Sequence, residues 1–87
     1  MNVSVWDTYV QRQDGKHMHF DILVPDTVID PKQIFDFGKS YLVDKPVLQH
    51  TLTASECQFC HIETAPDHII TIIEQQGYAI IEMENCK

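Results

Sequence analysis

Asp14-Gly15 sits between two stretches of alternating polarity, and this commits the start of the chain to a β-hairpin. Val3 to Val10 and Met18 to Val24 read as strands, and Asp-Gly between such runs is the strongest short hairpin signal, since both residues tolerate positive φ in a tight primed turn. A two-residue loop pairs Gln13 with Lys16. Tyr9 then faces Phe20, Asp7 faces Ile22 and Val5 faces Val24. Side chains along a strand alternate between faces. Met18, Phe20, Ile22 and Val24 are therefore expected to point at the core. His17, His19, Asp21 and Leu23 share the opposite face with Trp6 and Val10. Asp7 falls on the apolar face in this register, where a carboxylate must be paired or hydrogen-bonded.

Beyond Pro25, Asp30-Pro31 opens a helix, with Asp30 as N-cap and Pro31 in the first helical position. Ile34, Phe35, Phe37, Tyr41 and Leu42 supply its apolar side, and Gly38 permits a close approach to a sheet. Pro46 separates this helix from Val47 to Leu52, read as a strand. Thr53-Ala54-Ser55-Glu56 has capping-box spacing, which predicts a short helical turn through Cys57 and Phe59. Thr64-Ala65-Pro66-Asp67 repeats a start signal for a second helix to about Gln76, with Ile69, Ile70 and Ile73 as its buried stripe. Gly77 is a natural left-handed terminator, and Tyr78 to Glu84 forms the last strand. This order predicts an α+β domain over residues 1–87: a two-layer sandwich, in which the hairpin and closing strand form a small mixed sheet and both helices pack on one face.

The charge balance narrows the function classes. Thirteen acidic residues against six basic ones leave a net charge of −7. No Lys/Arg stripe exists to neutralise phosphates, so nucleic acid is not an expected partner, nor is an anionic membrane. Met1-Asn2-Val3-Ser4-Val5-Trp6-Asp7 lacks the basic and apolar segments of a signal peptide. A cytoplasmic location with reduced thiols is the resulting expectation, and three cysteines do not suggest a disulfide framework.

Cys57-Gln58-Phe59-Cys60-His61 carries the most chemistry per residue. A C-x2-C pair is half of a tetrahedral zinc site, which makes Cys57, Cys60 and His61 candidate metal ligands. Completion has to come through the fold from Cys86, His17, His19, His50 or His68. The plainer alternative is that the cysteines pack as small apolar residues. A dithiol redox pair is a third use, opposed by Glu56 and by the lack of a preceding β-α-β unit. C-x-x-C-H also matches covalent haem attachment, but without a signal peptide or a large apolar pocket the match is coincidental.

His17-x-His19-x-Asp21 is a second constellation. On a strand the three side chains share one face, with successive members about 7 Å apart. Two histidines and one carboxylate are a facial-triad composition, although a solvated polar face is the plainer reading. Trp6, Val10 and Leu23 on the same side make an apolar patch that wants a cover, by a protein partner or a second copy of the chain.

Asp7-Thr8-Tyr9-Val10, Met18-His19-Phe20-Asp21-Ile22-Leu23-Val24, Glu56-Cys57-Gln58-Phe59-Cys60-His61 and Gly77-Tyr78 through Glu82-Met83-Glu84 follow one another in an order that resembles a family of small bacterial domains known only as a domain of unknown function. The resemblance spans nearly the whole chain. It implies a compact α+β protein of bacterial type, and it brings no activity, cofactor or site residue. Two function classes follow from the residues: a non-catalytic binding or interaction module, or a zinc- or thiol-dependent protein centred on Cys57, Cys60 and His61.

Overall fold

The computed structural model describes residues 1–43, 45 and 57–86. Along the chain run β1 (Asn2–Gln11), β2 (His17–Pro25), α1 (Pro31–Leu42), β3 (Cys57–Thr64), α2 (Asp67–Gln76) and β4 (Ala79–Glu84). The four strands form one sheet in the order β3-β1-β2-β4. All three pairings are antiparallel, so the sheet is not mixed as expected. The fold is α+β, with two helices packed on an open four-stranded sheet.

The hairpin forms where the sequence places it, but its loop holds three residues. Arg12 N–H donates to the Lys16 carbonyl at 2.7 Å and Gly15 N–H to the Arg12 carbonyl at 3.1 Å. Gly15 adopts φ +87°. A turn followed by a left-handed glycine is the usual three-residue hairpin loop. The Asp14 carboxylate fastens it by accepting from Lys16 N–H at 3.1 Å. Compared with a two-residue loop, the register moves by one: Tyr9 pairs with His19, Asp7 with Asp21 and Val5 with Leu23. A slip of one residue sends every side chain of a strand to the other face.

This corrects the expected faces. Trp6, Thr8 and Val10 lie with Met18, Phe20, Ile22 and Val24, not with the histidines. That face is the main core, closed by Ile34 and Leu42 of α1 together with Cys57 and Cys86. Trp6 and Val10 are buried there, at 9% and 3% exposure. Leu23, also 3% exposed, is buried on the opposite face against Val3, Val5, Ile69, Ile73 and Ala79. Trp6, Val10 and Leu23 therefore form no shared surface patch, and the proposed interface is absorbed into the protein's own interior.

The helices obey their local signals. Asp30 caps α1 by accepting from Lys32 N–H at 3.0 Å, with Pro31 in the first turn. Gly38 is buried on the α1 face that meets the sheet. Gly77 ends α2 at φ 92°, donating its N–H to the Ile73 carbonyl at 2.7 Å. Where the sequence stacks both helices on one face, the structure divides them. The buried residues of α1 join the Trp6 side and those of α2 join the Leu23 side. The short turn expected through Cys57 and Phe59 is instead the start of β3. The strand expected over 47–52 lies outside the described residues.

Candidate functional site

One face of the hairpin carries Val3, Val5, Asp7, Tyr9 and Gln11 from β1, paired with Pro25, Leu23, Asp21, His19 and His17 from β2. α2 covers only the end at Val3, Val5 and Leu23. The other end holds the polar residues, and there Asp7, His19 and Asp21 meet. Their ligand atoms all lie within 4.8 Å of one another. His19 Nε2 is 3.5 Å from one Asp21 carboxylate oxygen and 3.8 Å from an Asp7 oxygen. Tyr9 stacks on the His19 imidazole, with ring centres 4.2 Å apart and planes 11° apart.

This cluster is not a relaxed ion pair. His19 Nε2 and Asp21 Oδ1 are both shielded from water, yet neither makes a hydrogen bond among the described residues. They face one another slightly beyond hydrogen-bond distance. Burial and the adjoining Asp7 carboxyl push the Asp21 pKa up from 3.8 to about 6, against the opposing pull of His19 and His61. Two carboxylates and an imidazole held together in this way lack a positive centre between them. A tetrahedral cation with ~2.0–2.1 Å bonds places its ligand atoms about 3.4 Å apart, a spacing that the 3.5 Å His19–Asp21 separation matches and the 3.8 Å His19–Asp7 separation approaches.

β3 runs along the other side of β1. Its pairing with β1 shifts between Val5 and Trp6: Val5 meets His61 and Trp6 meets Phe59, leaving Cys60 as an extra residue. Such a bulge re-aims a side chain. The Cys60 thiol is exposed, and its pKa is raised by partial removal from water and by the charges of Asp7, Asp21 and Glu63. Cys60 Sγ lies 3.1 Å from His61 Nδ1, and His61 Nε2 lies 3.2 Å from Glu63. Formally this is a thiol–imidazole–carboxylate relay. A catalytic thiol, however, needs a lowered pKa, and the acidic surroundings act in the opposite direction.

The C-x-x-C-H element is therefore split by the sheet. Cys57 pairs with Thr8 and is buried on the α1 side, where Cys86 also packs. Cys60 and His61 belong to the open face. Cys57, Cys60 and His61 do not converge on one point, although Cys60 and His61 touch. In the strand triad, His19 and Asp21 stay together while His17, exposed beside the loop, is outside the cluster. Asp7 replaces it. The signal for Asp7 was present in Gln13-Asp14-Gly15, which also fits a three-residue loop with glycine in the left-handed position.

A shallow cleft elsewhere, lined by Arg12, Lys16, Glu82, Met83, Glu84, Asn85 and Cys86, has a volume of about 430 Å³. Its charges are largely committed to local structure. Arg12 donates to the Asn85 carbonyl at 2.6 Å and pairs with Asp14 at 3.3 Å. Glu82 accepts from the Tyr41 hydroxyl at 2.5 Å and from Lys45 at 3.2 Å.

Comparison with known proteins agrees with this architecture. Residues 1–83 match the family described as Domain of unknown function (DUF2024). The chain belongs to this family. The solution NMR structure of protein NE1680 from Nitrosomonas europaea, a structural-genomics target, is 43% identical to this DUF2024 domain, with full coverage of both chains and a TM-score of 0.83. No curated protein matches the chain. The DUF2024 relationship establishes fold and family, and no activity comes with it. Among the described residues no helix is long and apolar enough to cross a membrane.

Proposed function

We propose that this DUF2024 domain is a non-catalytic binding module whose ligand is a divalent transition-metal ion of the zinc class, held by Asp7, His19 and Asp21. The observation that carries the reading is the convergence of one imidazole nitrogen and two carboxylate oxygens within 4.8 Å, with His19 Nε2 and Asp21 Oδ1 buried and without hydrogen bonds among the described residues. Mixed nitrogen and oxygen donors suit zinc and its neighbours in the first transition row better than calcium, which prefers six to eight oxygens. The net charge of −7 favours capture of a cation and disfavours nucleic acid. Tyr9 supports the site by holding the imidazole plane.

The test is a zinc titration of chelator-treated protein purified without a histidine tag, followed by calorimetry and thermal unfolding. One zinc per chain is expected, together with a rise in Tm. At a hundredfold excess of free zinc over Kd the gain is about 2.7 kcal/mol. His19→Ala and Asp21→Asn should abolish both effects. Failure of the parent protein to take up zinc, or equal uptake by the two variants, refutes the reading.

A further inference from the structure

We infer that the β3 edge is a homodimer surface: two copies of this chain pair their β3 strands antiparallel about a two-fold axis, with Phe59 of each opposite Ile62 of the other. Two four-stranded sheets then join edge to edge into one. Phe59 and Ile62 lie on the face of the sheet opposite Asp7, His19 and Asp21, so this pairing does not depend on the metal reading.

β3 ends the sheet on one side, and among the described strands β1 is its one neighbour. From Gln58 to Thr64 its residues are exposed. Natural sheets guard such an edge with lysine, proline or inward-pointing charge, and Cys57–Thr64 contains no Lys, Arg or Pro. Its large exposed apolar side chains are Phe59 and Ile62, 53% and 54% accessible. In a regular strand, residues three apart point to opposite faces. The bulge at Cys60 changes that. Phe59 pairs with Trp6 and Ile62 with Ser4, and these alternate β1 residues lie opposite Ile22 and Val24 of the core under α1. Phe59 and Ile62 therefore share one face. Phe59 also meets Trp6 edge-on, with ring centres 5.7 Å apart, which ties the exposed pair to the core.

The same bulge selects a second copy of the chain as the occupant. Antiparallel pairing about an axis perpendicular to the sheet keeps each face on its own side, so residues opposite one another must belong to the same face. Regular strands cannot set a residue opposite one three places along in the other copy. Two bulged strands can, because each carries the extra residue. With Phe59 opposite Ile62 of the second copy, Ile62 is opposite the second copy's Phe59, and Cys60 and His61 flank the axis. One patch thus complements itself, as an isologous interface requires, whereas a foreign strand needs a matching bulge. Aromatic and β-branched side chains are favourable cross-strand partners. Charge does not oppose the contact. Glu63 is the one acidic residue of β3, it lies 3.2 Å from His61, and antiparallel pairing sends the two Glu63 side chains to opposite ends of the contact. The paired stretch is short, which places the interface at the small end of the specific range. The expected dimer is weak, with a Kd on the order of micromolar or higher.

Sedimentation equilibrium of the full chain tests this, with reductant to exclude disulfide dimers and chelator to exclude metal-bridged ones. The parent should pass from monomer to dimer as its concentration rises to about 0.5 mM. Phe59→Lys and Ile62→Lys should each raise Kd by about 100-fold, since each replacement enters the interface twice at roughly tenfold per contact. Long-range charge cannot produce this loss, because the added lysine makes an acidic chain less negative. Met83→Lys, at an equally exposed apolar residue on β4, should leave the dimer intact. Circular dichroism establishes that each variant is folded. A second measurement needs no variant: on concentration, the backbone amide NMR signals of the parent should shift within Phe59 to Ile62. A parent that stays monomeric at about 0.5 mM overturns the inference. So does a dimer that survives both β3 variants, a dimer lost equally in Met83→Lys, or concentration-dependent shifts confined to other strands.

Discussion

Asp21→Asn should stabilise the metal-free protein while destroying its metal site. The carboxyl of Asp21 ionises with a pKa of about 6, raised above the ordinary 3.8 by burial first and by Asp7 second. Around it stand Asp7 on β1, His19 on its own strand, His61 and Cys60 on β3, and Ile81 opposite on β4. A carboxyl whose folded pKa is raised favours the folded state below about pH 4. That contribution is lost as the pH climbs through 6. At pH 8 the ionised group costs at most about 3 kcal/mol, at 1.36 kcal/mol per pH unit. Partial access to solvent reduces this to about 1–2 kcal/mol. Asparagine keeps the shape and removes the charge. The expected gain at pH 8 is therefore about 1–2 kcal/mol, or roughly 4–16 °C in Tm for a domain this small. Near pH 4 the gain should vanish, because parent and variant are then both neutral at position 21. Chemical denaturation at pH 4, 6 and 8 in the presence of a chelator reads all of this directly. A variant less stable than the parent at pH 8, or a difference independent of pH, would falsify the view that this cluster is an electrostatic strain awaiting a cation. Natural sites commonly trade stability for function in this way.

Zinc affinity should rise between pH 5 and 7, in part because Asp21, whose pKa is pushed up to about 6, gives up the proton that competes with the metal. Calorimetric titrations at pH 5 and 7 check this, and equal affinities would remove Asp21 from the ligand set. Tyr9→Leu should weaken zinc binding by several-fold with little loss of fold, because Tyr9 is half exposed and its ring lies flat on His19. Unchanged affinity would mean that the imidazole is held without it. Trp6→Ala should cost about 3–5 kcal/mol as a cavity opens between the sheet and α1. A denaturation midpoint near that of the parent would contradict its place in the core. Gly15→Ala should cost about 1 kcal/mol through its left-handed backbone alone, since no atom lies within 4 Å of the added methyl group. A neutral result would show that the loop tolerates another conformation.

Local signals determined much of this protein from the sequence alone. Asp30-Pro31 started α1 and Gly77 ended α2, because capping and left-handed termination depend on a few adjacent residues. Strand alternation marked β1, β2 and β4, and the chain order carried the α+β class. The face on which each side chain lies needed one more fact, the length of the hairpin loop. Gln13-Asp14-Gly15 fits both a two-residue and a three-residue loop, and the choice between them moves Asp7 from the core to the side of His19 and Asp21. Local chemistry does not decide it. Burial of Trp6 and Val10 under α1, and of Leu23 under α2, agrees with only one register. The C-x-x-C-H element shows the same limit. Its spacing suggests a single chelating unit on a turn, but β3 lies against β1 as a strand, which sends Cys57 inward while the bulge turns Cys60 outward. The sequence specified the donors by type. Only the tertiary structure decided which of them meet, because Asp7 on β1 and His19 and Asp21 on β2 become neighbours through pairing register, and register is set by the burial of the whole sheet.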